Sequence, residues 1–97
     1  MTIARYYLMI AAEGQESVLE TGLSALADAV RGLPGCEGVD VMRDCTNPHS
    51  FTFIEKWSSI DAHKAAGAQL PKALMTPVMS ALAQKPASAY LDYLKTI

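Results

Sequence analysis

His63, Trp57 and Glu55 are residues whose types and spacing are suited to chemistry on a bound organic molecule. An unperturbed imidazole titrates near about pH 6.5, so His63 is a candidate base at neutral pH. Trp57 lies shortly before His63 and offers an apolar face on which a flat substrate can stack. Glu55 shares the strand face of Trp57, since side chains two apart in a strand point to the same side. Burial would raise the pKa of Glu55 and suit it to acid or base work.

Three further aromatic residues are the candidates for binding a substrate. Phe53 shares the strand face of Glu55 and Trp57. Tyr7 and Tyr93 lie on the first and last predicted strands, where a phenol hydroxyl could orient a substrate oxygen. Alternation along a strand does not decide which tyrosine hydroxyls point inward.

Each candidate also has an ordinary structural explanation. His63 could be a surface residue of a helix, and Trp57 could simply belong to the core. Glu55 could form a structural ion pair, and most tyrosines on such strands only pack. No Ser-His-Asp arrangement follows from the sequence.

The elements that must position these residues follow from the pattern of apolar residues. Alternating or β-branched and aromatic segments predict four strands, at 3–11, 37–44, 50–57 and 87–95. Apolar residues spaced three and four apart predict a helix over 15–33. A short helix is predicted near 59–68, with Ser58 and Asp61 as its capping arrangement, and another begins at Pro71, with Pro77 expected to kink or divide it.

The order strand, helix, strand, strand, helix pair, strand predicts a ferredoxin-like β-α-β-β-α-β fold. Right-handed crossovers place the helices on one face of a four-stranded antiparallel sheet. In the first and last strands both parities carry large apolar side chains, so the face without helices would expose an apolar patch whichever parity faces it. Monomers seldom expose such a patch, so we expect a homodimer that buries this face.

Three segments resemble the antibiotic biosynthesis monooxygenase family. The segment FTFIEKW at 51–57 is similar to a family strand of alternating aromatics followed by Glu, one residue and Trp. The segment SSIDAH at 58–63 resembles the start of the family's next helix, and LPGC at 33–36 its preceding loop. The resemblance covers nearly the whole chain. It implies a single domain over 1–97 that pairs into a dimeric α/β barrel.

The resemblance also implies a chemistry. A phenol or hydroquinone loses a proton to a base, and its anion reacts directly with dioxygen inside an apolar pocket. This predicts a cofactor-independent monooxygenase acting on a small apolar aromatic molecule, similar to a quinol or polyketide. No Gly-x-Gly-x-x-Gly motif for a dinucleotide is present, and we expect no cofactor. The first strand lacks an Asn found in the family's haem-degrading branch, and Ala66 replaces a family helix His, so we expect haem not to be the substrate.

Two other functions remain open. One is a non-catalytic dimeric module that shelters a small apolar ligand, and the other is an isomerase-type enzyme on the same scaffold. A base and a stacking aromatic at one cavity would favour an enzyme.

Composition excludes several other classes. The net charge is −2 without a basic block, which argues against nucleic acid as a partner. No apolar run approaches about 20 residues, so we expect no membrane insertion. The first residues, 1–5, lack the charged n-region and the long apolar h-region that are typical of a signal peptide. Cys36 and Cys45 are expected near the two ends of one strand, too far apart to pair. No zinc motif is present either. We therefore expect a cytoplasmic protein with free thiols.

Overall fold

The computed structural model describes all residues from 1 to 97 and contains four strands and three helices. In chain order these are β1 (Ile3–Ile10), α1 (Glu16–Arg31), β2 (Cys36–Arg43), β3 (Ser50–Trp57), α2 (Ile60–Gly67), α3 (Lys72–Ser80) and β4 (Ala87–Asp92). The strands form one sheet in the order β2-β3-β1-β4, with every neighbouring pair antiparallel. The predicted ferredoxin-like fold is therefore confirmed, with the second helical layer split into α2 and α3.

Strand register decides which side chains share the helix-covered face of the sheet. Tyr7 pairs with Phe53, and Arg5 pairs with Glu55 on β3 and with Tyr90 on β4. Paired residues project to the same side of a sheet. These five side chains, from three strands, therefore lie together on the face that the helices cover.

The core lies between this sheet face and the helices. Burial alternates along β3, where Phe51, Phe53, Glu55 and Trp57 are buried and the residues between them are partly exposed. The apolar stripe of α1 packs against this face, and its four buried members are Leu19, Leu23, Leu26 and Val30. Amphipathic burial of this kind, rather than helix propensity, holds a helix on a small sheet.

The start of α2 is fixed closely against the loop before β2. The Ser59 hydroxyl accepts a hydrogen bond from the Ala62 N–H at 3.0 Å, so the helix cap is Ser59 rather than the predicted Ser58. Gly35 has φ +86°, and a Cβ built on it would lie 2.7 Å from the Ala62 Cβ. Only glycine lets the loop approach α2 this closely.

The end of the last strand and the effect of Pro77 on its helix differ from the predictions. The last strand ends at Asp92, three residues before the predicted end, so Tyr93 lies beyond the sheet. Pro77 does not divide its helix, because α3 continues through it to Ser80. Only three residues follow Pro77 in α3, and the missing proline N–H costs one hydrogen bond near the helix end.

The opposite face of the sheet carries no helix and presents apolar side chains. Tyr6, Leu8 and Ile54 lie on this helix-free face, where they are half-buried, and Leu91 is 45% exposed there. Both cysteines are free, with Cys36 buried and Cys45 exposed. None of the three helices is long and apolar enough to span a bilayer.

Candidate active site

A cavity of about 650 Å³ lies between the helix-covered face of the sheet and the three helices. Its lining is mostly apolar, with methionines, leucine and valine contributed by β1, α1 and α3. One part of the wall is polar and is formed by Tyr7, Glu55 and His63, beside the ring of Trp57. Pockets of this size and character hold small organic ligands and orient them through a few polar groups.

His63 lies at the centre of the polar wall. Its Nδ1 atom is 2.7 Å from the Tyr90 hydroxyl, and its Nε2 atom is 3.1 Å from the Tyr7 hydroxyl. The Trp57 ring meets the imidazole edge to face, with 5.6 Å between the centroids. Two hydrogen bonds and an aromatic contact therefore fix the orientation of the ring.

Glu55 and Trp57 form a buried pair next to this histidine. The Trp57 indole N–H donates to Glu55 Oε1 at 2.9 Å, which satisfies the polar end of a fully buried tryptophan. The same oxygen lies 3.6 Å from His63 Nε2. That separation is too long for a hydrogen bond but is short enough to stabilise a proton arriving on the imidazole.

The sequence model of the antibiotic biosynthesis monooxygenase family matches residues 1–68. The chain belongs to the antibiotic biosynthesis monooxygenase family. The matched segment runs from β1 through α2 and includes Tyr7, Phe53, Glu55, Trp57 and His63, while Tyr90 lies outside it. No curated protein matches the sequence of this family member.

Solved structures share the fold of this family member over nearly their full lengths. PA3566 from Pseudomonas aeruginosa is 26% identical, with a TM-score of 0.84 and 97% of this chain and 95% of that chain covered. Rv0793 from Mycobacterium tuberculosis is 18% identical, with a TM-score of 0.84 and 99% and 98% covered. SnoaB from Streptomyces nogalater, a cofactor-independent oxygenase, is 15% identical, with a TM-score of 0.84 and 99% and 96% covered.

Burial sets the protonation of the polar wall in this member of the monooxygenase family. It lowers the pKa of His63 from its usual 6.5, and the positive charges of Arg5 and Lys64 lower it further. It raises the pKa of Glu55, against the hydrogen bond from Trp57 and the charge of Arg5. The imidazole is therefore neutral at neutral pH, which is the state that a base requires.

The structure brings five of the six predicted site residues to one cavity. Tyr7, Phe53, Glu55, Trp57 and His63 all line it. Tyr93 does not, because it follows the end of β4 and lies in a separate shallow depression near the N-terminus. Of the two tyrosines that were expected to orient a substrate here, Tyr7 lies at the cavity wall and Tyr93 does not, so the expected position of Tyr93 is corrected.

Two residues that contact the polar wall from outside the cavity, Tyr90 and Arg5, were missed by sequence reasoning. Tyr90 occupies the position on the last strand that was assigned to Tyr93. Arg5 lies between two phenols, with its guanidinium carbon 4.1 Å from the ring centroid of Tyr90 and 5.0 Å from that of Tyr7. Arg5 shares the strand parity of Tyr7, which was a signal available in the sequence.

The titratable residues of this family member do not form a metal-binding cluster. No group of three or more His, Cys, Asp or Glu side chains is arranged to hold a metal ion. The site offers instead one imidazole, one carboxyl group, phenol hydroxyls and the ammonium group of Lys72 around a mostly apolar volume. Such groups can orient an organic molecule and move its protons.

Proposed function

We propose that this protein is an enzyme that oxidises a small apolar aromatic substrate with dioxygen, without a cofactor. The observation that carries the proposal is the neutral imidazole of His63, held beside Trp57 at the wall of an apolar cavity of about 650 Å³. A base and a flat aromatic surface at one cavity favour catalysis over passive sheltering of a ligand. Membership of the family, and the fold shared with a cofactor-independent oxygenase, agree with this function.

The lining of the cavity points to the class of substrate. Methionine side chains such as Met9, Met75 and Met79 are flexible and polarisable, and they suit the faces of aromatic rings. Apart from Lys72 at the start of α3, the polar lining groups are those of the polar wall, so a substrate would carry its reacting hydroxyl at that wall and apolar rings along the rest of the cavity. A hydroquinone or an anthrone has this distribution of polar and apolar groups.

The reaction requires only a proton acceptor and dioxygen. Loss of a proton gives an electron-rich anion, which reduces dioxygen. One oxygen atom enters the product in a new carbon–oxygen bond, the other leaves as water, and the substrate supplies all four electrons. The protein would contribute the base, the exclusion of water and a fixed orientation.

We also propose that residues 1–97 form one domain and that two copies assemble through the helix-free face. Tyr6, Leu8, Ile54 and Leu91 supply an apolar surface there, beside the ion pair of Lys56 and Asp40. Monomers seldom leave such a surface in water, and a two-fold symmetric pair buries it on both subunits at once. This arrangement keeps the cavities of the two subunits on the outer, helix-covered sides of the sheets.

Oxygen uptake by purified, metal-free protein tests the proposed activity against a panel of hydroquinones and anthrones. We expect uptake with at least one of them, and a kcat lowered about 100-fold in His63→Ala. The matched control is His49→Ala, because His49 is exposed and pairs with Glu16 away from the cavity. Tight binding of these compounds without oxygen uptake would contradict the proposal and favour a binding module. Rearrangement of a compound without oxygen uptake would favour an isomerase.

A further inference from the structure

Both nitrogens of the His63 ring face a phenol hydroxyl, which restricts how this residue can act as a base. Nε2 faces Tyr7 at 3.1 Å, and Nδ1 faces Tyr90 at 2.7 Å. A neutral imidazole has one N–H and one lone pair. Whichever nitrogen holds the lone pair, it is therefore directed at a tyrosine hydroxyl and not at the open cavity.

The two phenols differ in their access to the substrate. Tyr7 lines the cavity, whereas Tyr90 does not. Glu55 also lines the cavity, but its Oε1 atom lies 3.6 Å from Nε2, beyond hydrogen-bond distance. The hydrogen-bonded route for a proton from the cavity to the imidazole therefore passes through the hydroxyl of Tyr7. We infer that Tyr7 is the group that takes the proton from the substrate, and that His63 receives the proton that Tyr7 gives up. This inference rests on the proposed function, since it describes the first step of that reaction.

The step balances in atoms and charge. The O–H bond of the substrate breaks, and its proton joins the Tyr7 oxygen as the O–H bond of Tyr7 breaks and that proton joins His63 Nε2. The products are a substrate anion, a neutral Tyr7 and an imidazolium. The lone pair must begin on Nε2, so Nδ1 carries the hydrogen and donates it to the Tyr90 oxygen.

Charged groups lie near both ends of the relay, and they act in both directions. Arg5 lies 5.0 Å from the Tyr7 ring centroid, where its cation stabilises negative charge that develops on the phenol oxygen. Glu55 Oε1 lies 3.6 Å from Nε2, the atom that gains the proton. Burial raises the pKa of Tyr7, which keeps this phenol protonated in the resting enzyme, while Arg5 acts in the opposite direction. Burial, and then the charges of Arg5 and Lys64, lower the pKa of His63, so the imidazolium is short-lived and returns its proton readily.

The position of the imidazole hydrogen tests the relay without any assay of activity. Nitrogen-15 NMR of histidine-labelled protein near about pH 8, well above the usual histidine pKa, distinguishes a protonated from an unprotonated ring nitrogen. We expect His63 to carry its hydrogen on Nδ1, and we expect Tyr7→Phe to shift the Nε2 resonance. The control Tyr6→Phe removes the same hydroxyl group from the preceding residue of β1, whose side chain faces the other side of the sheet. A hydrogen on Nε2 in the wild-type protein would overturn the relay.

Steady-state kinetics test the same step once a substrate that supports oxygen uptake has been identified. We expect Tyr7→Phe to lower kcat about 100-fold with a KM changed by less than about threefold, and Tyr6→Phe to leave both unchanged. Tyr7→Phe combined with His63→Ala should be no slower than the slower single variant, because the two residues act as one unit. A Tyr7→Phe enzyme with normal kcat would overturn the relay. If the wild-type protein consumes no oxygen, the proposed function fails, and the NMR result alone decides the relay.

Discussion

The Nδ1 atom of His63 lies 2.7 Å from the hydroxyl oxygen of Tyr90, although 27 residues separate the two along the chain. This hydrogen bond joins α2 to β4 and holds the imidazole from the side opposite to the cavity. Tyr90 is held in turn by the guanidinium of Arg5 over its ring. Tyr90 is therefore a positioning residue, and it lies beyond the part of the chain that the family model matches.

The protonation of His63 should govern the acidic side of the pH profile. The pKa of His63 lies below 6.5 because of burial and the charges of Arg5 and Lys64, and a base acts only when neutral. We expect kcat/KM for oxygen uptake to fall as the pH drops through an inflection below 6.5. Glu55 is the other group of the site that can titrate on the acidic side. Because the inflection is assigned to His63, Glu55→Gln should retain it. An inflection above 6.5 would contradict the buried, neutral imidazole.

Replacing Glu55 with glutamine should stabilise the fold at neutral pH. Burial raises the pKa of Glu55 in the folded state above its unfolded value of about 4.3. The protonated side chain therefore contributes stability at pH values below the unfolded pKa. This contribution is lost as the pH rises through the folded-state pKa. A glutamine side chain would not titrate and would keep an oxygen acceptor for the Trp57 N–H. Thermal unfolding should give Glu55→Gln a higher Tm than the wild type at pH 7, with a smaller advantage at pH 4. A lower Tm at pH 7 would show that the charge of Glu55 is stabilising.

The sequence predicted the part of the site that lies close together along the chain. Trp57 ends β3 and His63 lies in the first turns of the next helix, so the short separation was enough to bring them to one cavity. The position of Tyr90 depends instead on how β4 pairs with β1, where Tyr90 lies opposite Arg5. A shift of one residue in that pairing would turn Tyr90 to the other face, and local alternation cannot fix a long-range register. For this reason, and because β4 ends before Tyr93, the prediction that Tyr93 lies at the cavity was wrong.

Gly35 should be much less tolerant of alanine than Gly14. Both have positive φ, +86° and +80°, so each substitution carries a backbone penalty of about 1–2 kcal/mol. The new Cβ at Gly35 would also meet Ala62 at 2.7 Å, whereas nothing lies within 4 Å at Gly14. We expect Gly35→Ala to lower the free energy of unfolding by about 1–3 kcal/mol more than Gly14→Ala, as measured by urea denaturation. Equal losses would show that the loop can move away from α2.

The helix-free face should control assembly. Ile54→Lys places a charge in the middle of that face, opposite Tyr6 on β1, and should convert a dimer into a monomer in sedimentation equilibrium at micromolar concentration. Val18→Lys is the matched control, because Val18 is 46% exposed on α1 and lies on the helical side. A dimer that survives Ile54→Lys but is lost in Val18→Lys would place the interface on the helices. A wild-type monomer would refute the assembly altogether.

The origin of the oxygen atom in the product shows whether this protein is a monooxygenase. Metal-free wild-type protein is incubated with a hydroquinone or anthrone under oxygen-18 gas, and the product is analysed by mass spectrometry beside a His63→Ala sample. We expect one oxygen-18 atom to enter each product molecule at a rate that depends on His63. A product that gains its oxygen from water, or a label that enters equally fast in His63→Ala, would contradict it.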